Sequence, residues 1–252
     1  RAPTGRHLAT MEPAALPAAS PGEQAQRPRL TYLNMKCLAE PIRLALFIGG
    51  VDFEDRRVSY EELAELNRQG LVPYGQLPVL ELGGQRYAQA PALLRWAGRA
   101  AGLYPAGLEL ECDAVEEALS DMRRVMYPQW YGVVMGRDPV TKERLVPLTD
   151  EQKGEVQRVL NERILPARFA QLERVLQASG GPYFCGEKLT TCDLSFYVFA
   201  SGLQDGTFID GVDQAVLAGC PGLLALAQRV AEHPRVKEWN SRHEHCRPAP
   251  LQ

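Results

Sequence analysis

The sequence predicts a small mixed α/β unit followed by a larger, all-helical one. Three observations carry this reading. Short runs of strand formers alternate with helical patterns up to about position 103, strand signals nearly vanish beyond it, and the turn-rich stretch Leu103-Tyr104-Pro105-Ala106-Gly107 separates the two regimes. At 252 residues the chain is long enough for two modest domains, each with its own core.

In chain order, Leu30-Thr31-Tyr32-Leu33-Asn34 reads as a strand. Residues 40–48 read as a helix, with Pro41 in the first turn, where its missing N–H costs little, and Gly49-Gly50 as the stop. Residues 53–58 form a second strand, and 61–68 a short helix that ends before Gly70. A third strand covers 77–82, and Gly83-Gly84 suits a two-residue hairpin turn into Gln85-Arg86-Tyr87. Helix returns from 91 to 101.

Beyond residue 108 the pattern is helical throughout. Val115, Leu119, Met122, Val125 and Met126 recur at helical spacing within residues 109–127. Residues 151–165 and 168–178 read as two helices separated by Pro166. A further helix opens at Thr190 and runs to Leu203, and 223–232 and 236–242 complete the set. Residues 132–149 are polar and contain proline, the composition of an exposed loop or insertion. Residues 1–28, rich in Ala, Pro and small polar side chains, bring too little apolar surface to offset ordering entropy and are expected to be a disordered tail. Arg1, Arg6 and His7 would suit a targeting segment, but Glu12, Glu23 and the prolines speak against one. The expected domains are therefore 29–103 and 108–243.

Composition narrows the function classes. Apolar residues make up 45% and charged residues 23%, the mix of an ordinary globular protein, and the formal net charge of -3 offers no phosphate-binding surface, so nucleic acid is not an expected partner. No apolar run reaches the length of about 18 residues that a membrane span requires. Cys37, Cys112, Cys185, Cys192, Cys220 and Cys246 match no zinc spacing, and a chain of this size needs no disulfide framework, which points to a reducing, cytoplasmic setting. His243-Glu244-His245-Cys246 has metal-binding residue types, but its polar, proline-rich surroundings favour a disordered tail, and no metal site is expected.

Leu30-Thr31-Tyr32-Leu33-Asn34-Met35-Lys36, followed by Ala39-Glu40 and Arg43, resembles the glutathione transferase family and within it the sigma class, the group that contains glutathione-dependent prostaglandin D synthase. Tyr74-Gly75-Gln76-Leu77-Pro78-Val79-Leu80 is similar to the family stretch around its cis-proline, and Thr190-Thr191-Cys192-Asp193-Leu194 to the N-capping box of its second domain. The resemblance runs from about residue 29 to 243 and implies a thioredoxin-like N-terminal domain, an all-α C-terminal domain and a homodimer. It also implies glutathione as co-substrate, with no other cofactor.

The resemblance further implies roles for individual residues. Tyr32 would be the catalytic donor whose hydroxyl stabilises the glutathione thiolate, which is needed because a free thiol with a pKa of about 8.5 is mostly protonated at neutral pH. The alternative is an ordinary strand aromatic packed in the core. Leu77 and Pro78 would present backbone to the peptide, with Pro78 cis by resemblance and trans by base expectation. Gln89 and Ala90 would receive the γ-glutamyl carboxylate at a helix N-terminus, Ala90 standing where the family has serine. Leu38, Asn67 and Gln76 fall where the family places cationic or hydrogen-bonding groups, so binding is expected to be weakened there. Leu63 falls near the family's tryptophan position, and Arg68 is an alternative to Asn67.

Asp121 matches an acidic position that reaches a partner subunit's glutathione, or is a solvated helix carboxylate. Tyr127, Trp130 and Tyr131 would line an apolar electrophile pocket, or serve as core or dimer contacts. The expected activity is conjugation to, or isomerisation of, a small apolar electrophile. Two other functions compete with it. One is thiol transfer through Cys37, just before the first helix; the other is a non-catalytic binding or structural role, motivated by Leu38, Gln76 and Ala90.

Overall fold

The computed structural model describes residues 27–129, 143–204 and 212–243. The expected tail (all but its last two residues), most of the loop at 132–149, Trp130, Tyr131 and residues 244–246 lie outside the described residues.

The first unit is a four-stranded sheet in the order β2-β1-β3-β4. Strand β1 (Arg29–Leu33) runs parallel to β2 (Glu54–Val58) and antiparallel to β3 (Val79–Leu82), which pairs with β4 (Gln85–Ala88). The parallel pair requires a crossover, which α1 (Glu40–Ile48) supplies. Helix α2 (Tyr60–Arg68) opens on a reciprocal box in which Ser59 and Glu62 each accept the other's backbone N–H. Gly83 and Gly84 take φ of +55° and +73°, the left-handed pair that a two-residue hairpin needs. The third strand begins two residues later than the sequence suggests, because Pro78 has no N–H to give the ladder. Helix α3 (Ala90–Ala101) follows β4 directly and ends at left-handed Gly102.

The second unit comprises α4 (Glu109–Gln129), α5 (Asp150–Val159), α6 (Leu165–Ala178), α7 (Thr191–Gln204), α8 (Pro221–Glu232) and α9 (Pro234–Arg242). Helices α5 and α6 are not separated at Pro166 as expected. A wide π turn, Leu160–Ile164, joins them, with the Leu165 N–H reaching back to the Leu160 carbonyl. That shift of register leaves proline in the first turn of α6, where its absent N–H has no partner to lose. Helix α7 is apolar on most sides, and Cys192, Leu194, Phe196, Phe199 and Ala200 are all buried, so it runs through the middle of the helical unit.

The N-terminal end of α7 is held by Asp193. Its fully buried carboxylate accepts from the Thr190 N–H (2.8 Å), the Thr190 hydroxyl (2.7 Å) and the Phe184 N–H (2.9 Å). A reciprocal capping box would have the Asp193 carboxylate reach back to the Thr190 N–H, as it does, and the Thr190 hydroxyl accept from the Asp193 N–H. That hydroxyl instead donates to the carboxylate, and the box also fastens the preceding loop.

One apolar core spans both units. At its edge Trp239 of α9 donates from Nε1 to Glu40 Oε1 (2.7 Å), and Arg235 donates to the Phe47 carbonyl (2.8 Å) with its guanidinium 3.8 Å from the Phe47 ring. Glu40 is itself paired with Arg43 (3.1 Å). Arg43, fully buried, also donates to Asp55 Oδ1 on β2 (2.8 Å) and to the Met35 carbonyl (2.7 Å). Replacing Arg43 with methionine would strand Glu40 as an uncompensated buried charge. The variant is expected to lose about 3–5 kcal/mol in urea denaturation, and Arg43→Lys to recover little of it, since an ammonium cannot serve three acceptors arranged for a planar fork. Wild-type stability in Arg43→Met would show that the pair is dispensable.

Candidate active site

The chain leaves β1 at Leu33, turns through a Met35 N–H to Leu33 carbonyl bond of 2.7 Å, and enters a 3-10 turn at Cys37–Ala39 that leads into α1. Cys37 takes φ of +41°, an uncommon backbone conformation for a side-chain-bearing residue. This turn brings Cys37 near enough to Tyr32 for each side chain to influence the other's ionisation, and the Leu38 N–H favours the charged form of both. Tyr32 is buried, with the Arg43 guanidinium 5.7 Å from its ring centroid.

Burial pushes the Tyr32 hydroxyl well above the ordinary phenol value, and the neighbouring Cys37 pushes it further; the Leu38 N–H and Arg43 act the other way. At neutral pH Tyr32 is therefore an un-ionised O–H donor. Burial also raises the Cys37 thiol, opposed first by the Tyr32 hydroxyl and then by Arg123, the Leu38 N–H and Arg43. A protonated hydroxyl aimed at a sulfur is what thiolate stabilisation requires.

A cleft of about 270 Å³ opens beside this pair, between the sheet unit and α4. One wall carries Leu38, Gln76, Leu77, Pro78, Gln89 and Ala90, so these expected site residues come together. The Leu77–Pro78 bond is cis. Gln89, at the entry to α3, takes φ of +77°, a strained conformation of the kind that concentrates at ligand sites. Tyr32 and Cys37 are not on the cleft surface; Leu38 is.

Asn67 and Asp121 do not join the cleft. Asn67 is exposed on α2, and Asp121 is exposed on α4, where it pairs with Arg124. Tyr127 does line the cleft.

The opposite wall is the part that sequence reasoning missed. Helix α4 brings Glu116, Glu117, Ser120, Arg123 and Arg124 to the cleft, and α7 brings Ser195. Arg123 sits 3.4 Å from Glu116 Oε1, while Glu116 Oε2 and the Ser195 hydroxyl are buried and lack hydrogen-bond partners among the described residues. Buried polar atoms of this kind are normally satisfied, and two on one cleft mark a polar ligand surface. Their only trace in the sequence is the Glu116-Glu117 and Arg123-Arg124 doublets two turns apart, a pattern shared with any solvated helix.

Because the Tyr32 hydroxyl is the foremost influence opposing the rise of the Cys37 thiol, its loss should be felt at that thiol. Alkylation of Cys37 by iodoacetamide, followed by peptide mass spectrometry, is expected to be slow at pH 7 and to accelerate only above the ordinary thiol value of about 8.5. Tyr32→Phe removes the donor, raises the thiol further and shifts that acceleration to higher pH. An unchanged profile would mean that hydroxyl and thiol do not interact.

Residues 141–243 match the family model described as glutathione S-transferase, C-terminal domain. The chain is 30% identical to glutathione S-transferase 1 of Ascaris suum over 218 residues, covering 84% of this chain and 94% of that protein. It is 28% identical to human glutathione S-transferase A3, covering 85% and 88% respectively. Among solved structures, prostaglandin synthase D of Nilaparvata lugens superposes with a TM-score of 0.69 at 26% identity, covering 89% of this chain and all of that one. The thioredoxin-like sheet with its helical partner, the cis-proline cleft and these similarities lead to one conclusion: the chain belongs to the glutathione S-transferase family.

Proposed function

We propose that this chain is a glutathione transferase that activates the glutathione thiol through Tyr32 and delivers it to a small apolar electrophile. The observation that carries the proposal is the buried Tyr32 at the end of β1, with the Arg43 guanidinium 5.7 Å from its ring and Leu38, from the turn that follows, on the wall of the cis-proline cleft. In the proposed step the thiol proton leaves to solvent and Tyr32 donates its hydrogen bond to the thiolate. The thiolate then forms a C–S bond at the electrophilic carbon while a leaving group departs with its bonding pair, or a π bond opens and the resulting carbanion takes a proton from solvent. With a peroxide-type substrate the thiolate attacks one oxygen as the O–O bond breaks, and the other oxygen takes a proton. Loss of the proton on the adjacent carbon then forms a carbonyl and releases the thiolate, a net isomerisation. Lowering a thiol pKa by two units corresponds to about 2.7 kcal/mol, within reach of one charge-assisted hydrogen bond aided by nearby positive charge.

The peptide would lie along the wall from Leu77 to Ala90. Its γ-glutamyl carboxylate would meet the N-terminus of α3, where Gln89 and Ala90 offer backbone but no hydroxyl, and Asn67 and Asp121 would act, if at all, from outside the cleft. Arg123 and Arg124 of α4 would supply the positive charge missing at Leu38 and Gln76. Tyr127 lies at the far end of the same wall, where the electrophile would sit. The motif around Tyr32 supports a sigma-class-like assignment, and we further propose a cytoplasmic homodimer that uses no cofactor besides glutathione.

The nearness of Cys37 to Tyr32 also favours a second reading, a Cys37-dependent thiol transferase. The raised thiol pKa ranks it second, because little thiolate is present at neutral pH.

Ultraviolet difference titration of glutathione separates these readings. Wild-type protein is expected to show bound thiolate at neutral pH, Tyr32→Phe to lose it, and Cys37→Ser to keep or strengthen it because a competing sulfur is gone. Thiolate that survives in Tyr32→Phe would overturn the Tyr32 mechanism, and loss of thiol–disulfide exchange in Cys37→Ser alone would install the second reading. Saturable binding without thiolate would mark a non-catalytic binder. Ala90→Ser restores a hydroxyl at the helix entry and is expected to tighten glutathione binding by about 2- to 10-fold, the worth of one hydrogen bond.

A further inference from the structure

Three cysteines that look unrelated in the sequence meet in the fold. Cys112 comes from α4, Cys185 from the loop before α7, and Cys192 from the first turn of α7. Cys112 Sγ lies 3.3 Å from Cys185 Sγ, which lies 3.9 Å from Cys192 Sγ, and all three sulfurs fall within 4.8 Å of one another. They are free thiols. We propose that they form a site for a single soft, closed-shell metal ion of the Cu(I) class.

The geometry fits such an ion. With metal–sulfur bonds of about 2.3 Å, three thiolates around one centre stand about 4.0 Å apart. The Cys185–Cys192 separation of 3.9 Å is already close to that value, and the Cys112–Cys185 pair, at 3.3 Å, would part by about 0.7 Å to admit the ion. Ligand count then selects the metal. Among the described residues no fourth histidine, cysteine or carboxylate joins the cluster. Asp193 is adjacent in sequence, but its oxygens are committed to Phe184 and Thr190. Structural zinc asks for four protein ligands, whereas three thiolates without a hard donor suit Cu(I).

The sulfurs are held by structure that does not depend on them. Tyr183 and Gly186 exchange backbone hydrogen bonds of 3.1 Å each and close the turn that carries Cys185. Asp193 ties Phe184, the residue before Cys185, to Thr190 at the entry of α7. The Thr190 hydroxyl lies 3.2 Å from Cys192 Sγ and gives that ligand a polar neighbour. Cys112 and Cys192 are buried, while Cys185 is partly exposed and provides the way in. The pair α4 and α7 also carries Glu116 and Ser195 of one cleft wall, so a bound ion would clamp the two helices that form that wall.

The test is an anaerobic titration of the reduced full chain with Cu(I) against bicinchoninate. One equivalent is expected to leave the chelator, to raise the thermal unfolding midpoint, and to show three sulfur scatterers at about 2.3 Å by X-ray absorption. Cys185→Ala, which truncates the exposed member and should leave far-ultraviolet dichroism unchanged, is expected to weaken binding by at least about 100-fold, the upper end of what even outer-shell partners are worth. Cys220→Ser and Cys246→Ser are expected to bind as wild type. Failure to draw copper from the chelator, or undiminished binding by a folded Cys185→Ala, would overturn the site. Equal competition by Zn2+ would overturn its assignment to a soft three-coordinate ion.

Discussion

The Arg43 guanidinium is the constraint on which the site depends. It has no exposure, yet it holds four parts of the molecule: Glu40 at the start of its own helix, Asp55 on β2, the Met35 carbonyl in the turn after β1, and the face of Tyr32. Spacing of i, i+3 puts Glu40 and Arg43 on one helix face, which makes the pair local, but the other contacts are tertiary. Holding the Met35 carbonyl fixes the turn that carries Cys37 and Leu38 from β1 to α1. Holding Glu40 fixes the acceptor for Trp239, so the same charge that shapes the site also docks the helical unit. A buried ion pair is seldom a net gain over apolar packing of equal volume. Here it orients a catalytic candidate, and that is a reason to retain it.

Asp193 does for the second unit what Arg43 does for the first. Burial raises its carboxyl to about 6 despite three donors, so desolvation outweighs the hydrogen bonds that favour the charged form. That cost accompanies the joining of α7 to the loop at 184–190. The central helix and the cysteine loop are thereby one rigid piece, and Ser195, one turn along the same helix, is carried with it to the cleft.

Element order was legible because each signal is local. Gly83-Gly84 marks its hairpin, Pro41 and Gly49 bound their helix, and Thr190 with Asp193 announce a helix entry. The wall from Leu38 through Ala90 was legible only through resemblance; no spacing rule makes Leu77 or Gln89 a ligand-facing residue. What stayed hidden arises where distant segments meet. The turn beside Tyr32 holds Cys37 at a positive φ, which nothing in the residue type announces. Arg123 and Arg124 are indistinguishable in sequence from solvated helix charges until α4 is placed against the cleft. Cys112 and Cys185 are 73 positions apart, and no fixed spacing encodes their approach. Pro166 misled because a proline ends a regular ladder, whereas a π turn changes the ladder so that no bond is lost.

Under the proposed function, these substitutions relocate recognition. The sheet unit has lost polar anchors at Leu38, Gln76 and Ala90, and the cationic groups that face the cleft belong to α4. Carboxylate binding then depends on the seating of α4, which packs against the core helix α7. Neither unit alone would hold the peptide: one offers backbone and a thiol-directed hydroxyl, the other charge. Glu116 tempers that charge, since its paired oxygen neutralises Arg123 while its free oxygen remains an acceptor at the cleft. A ligand with an ammonium or hydroxyl group can satisfy that oxygen, and a purely anionic one cannot. The wall therefore favours a zwitterionic peptide over a simple dicarboxylate, which is the charge pattern of glutathione itself.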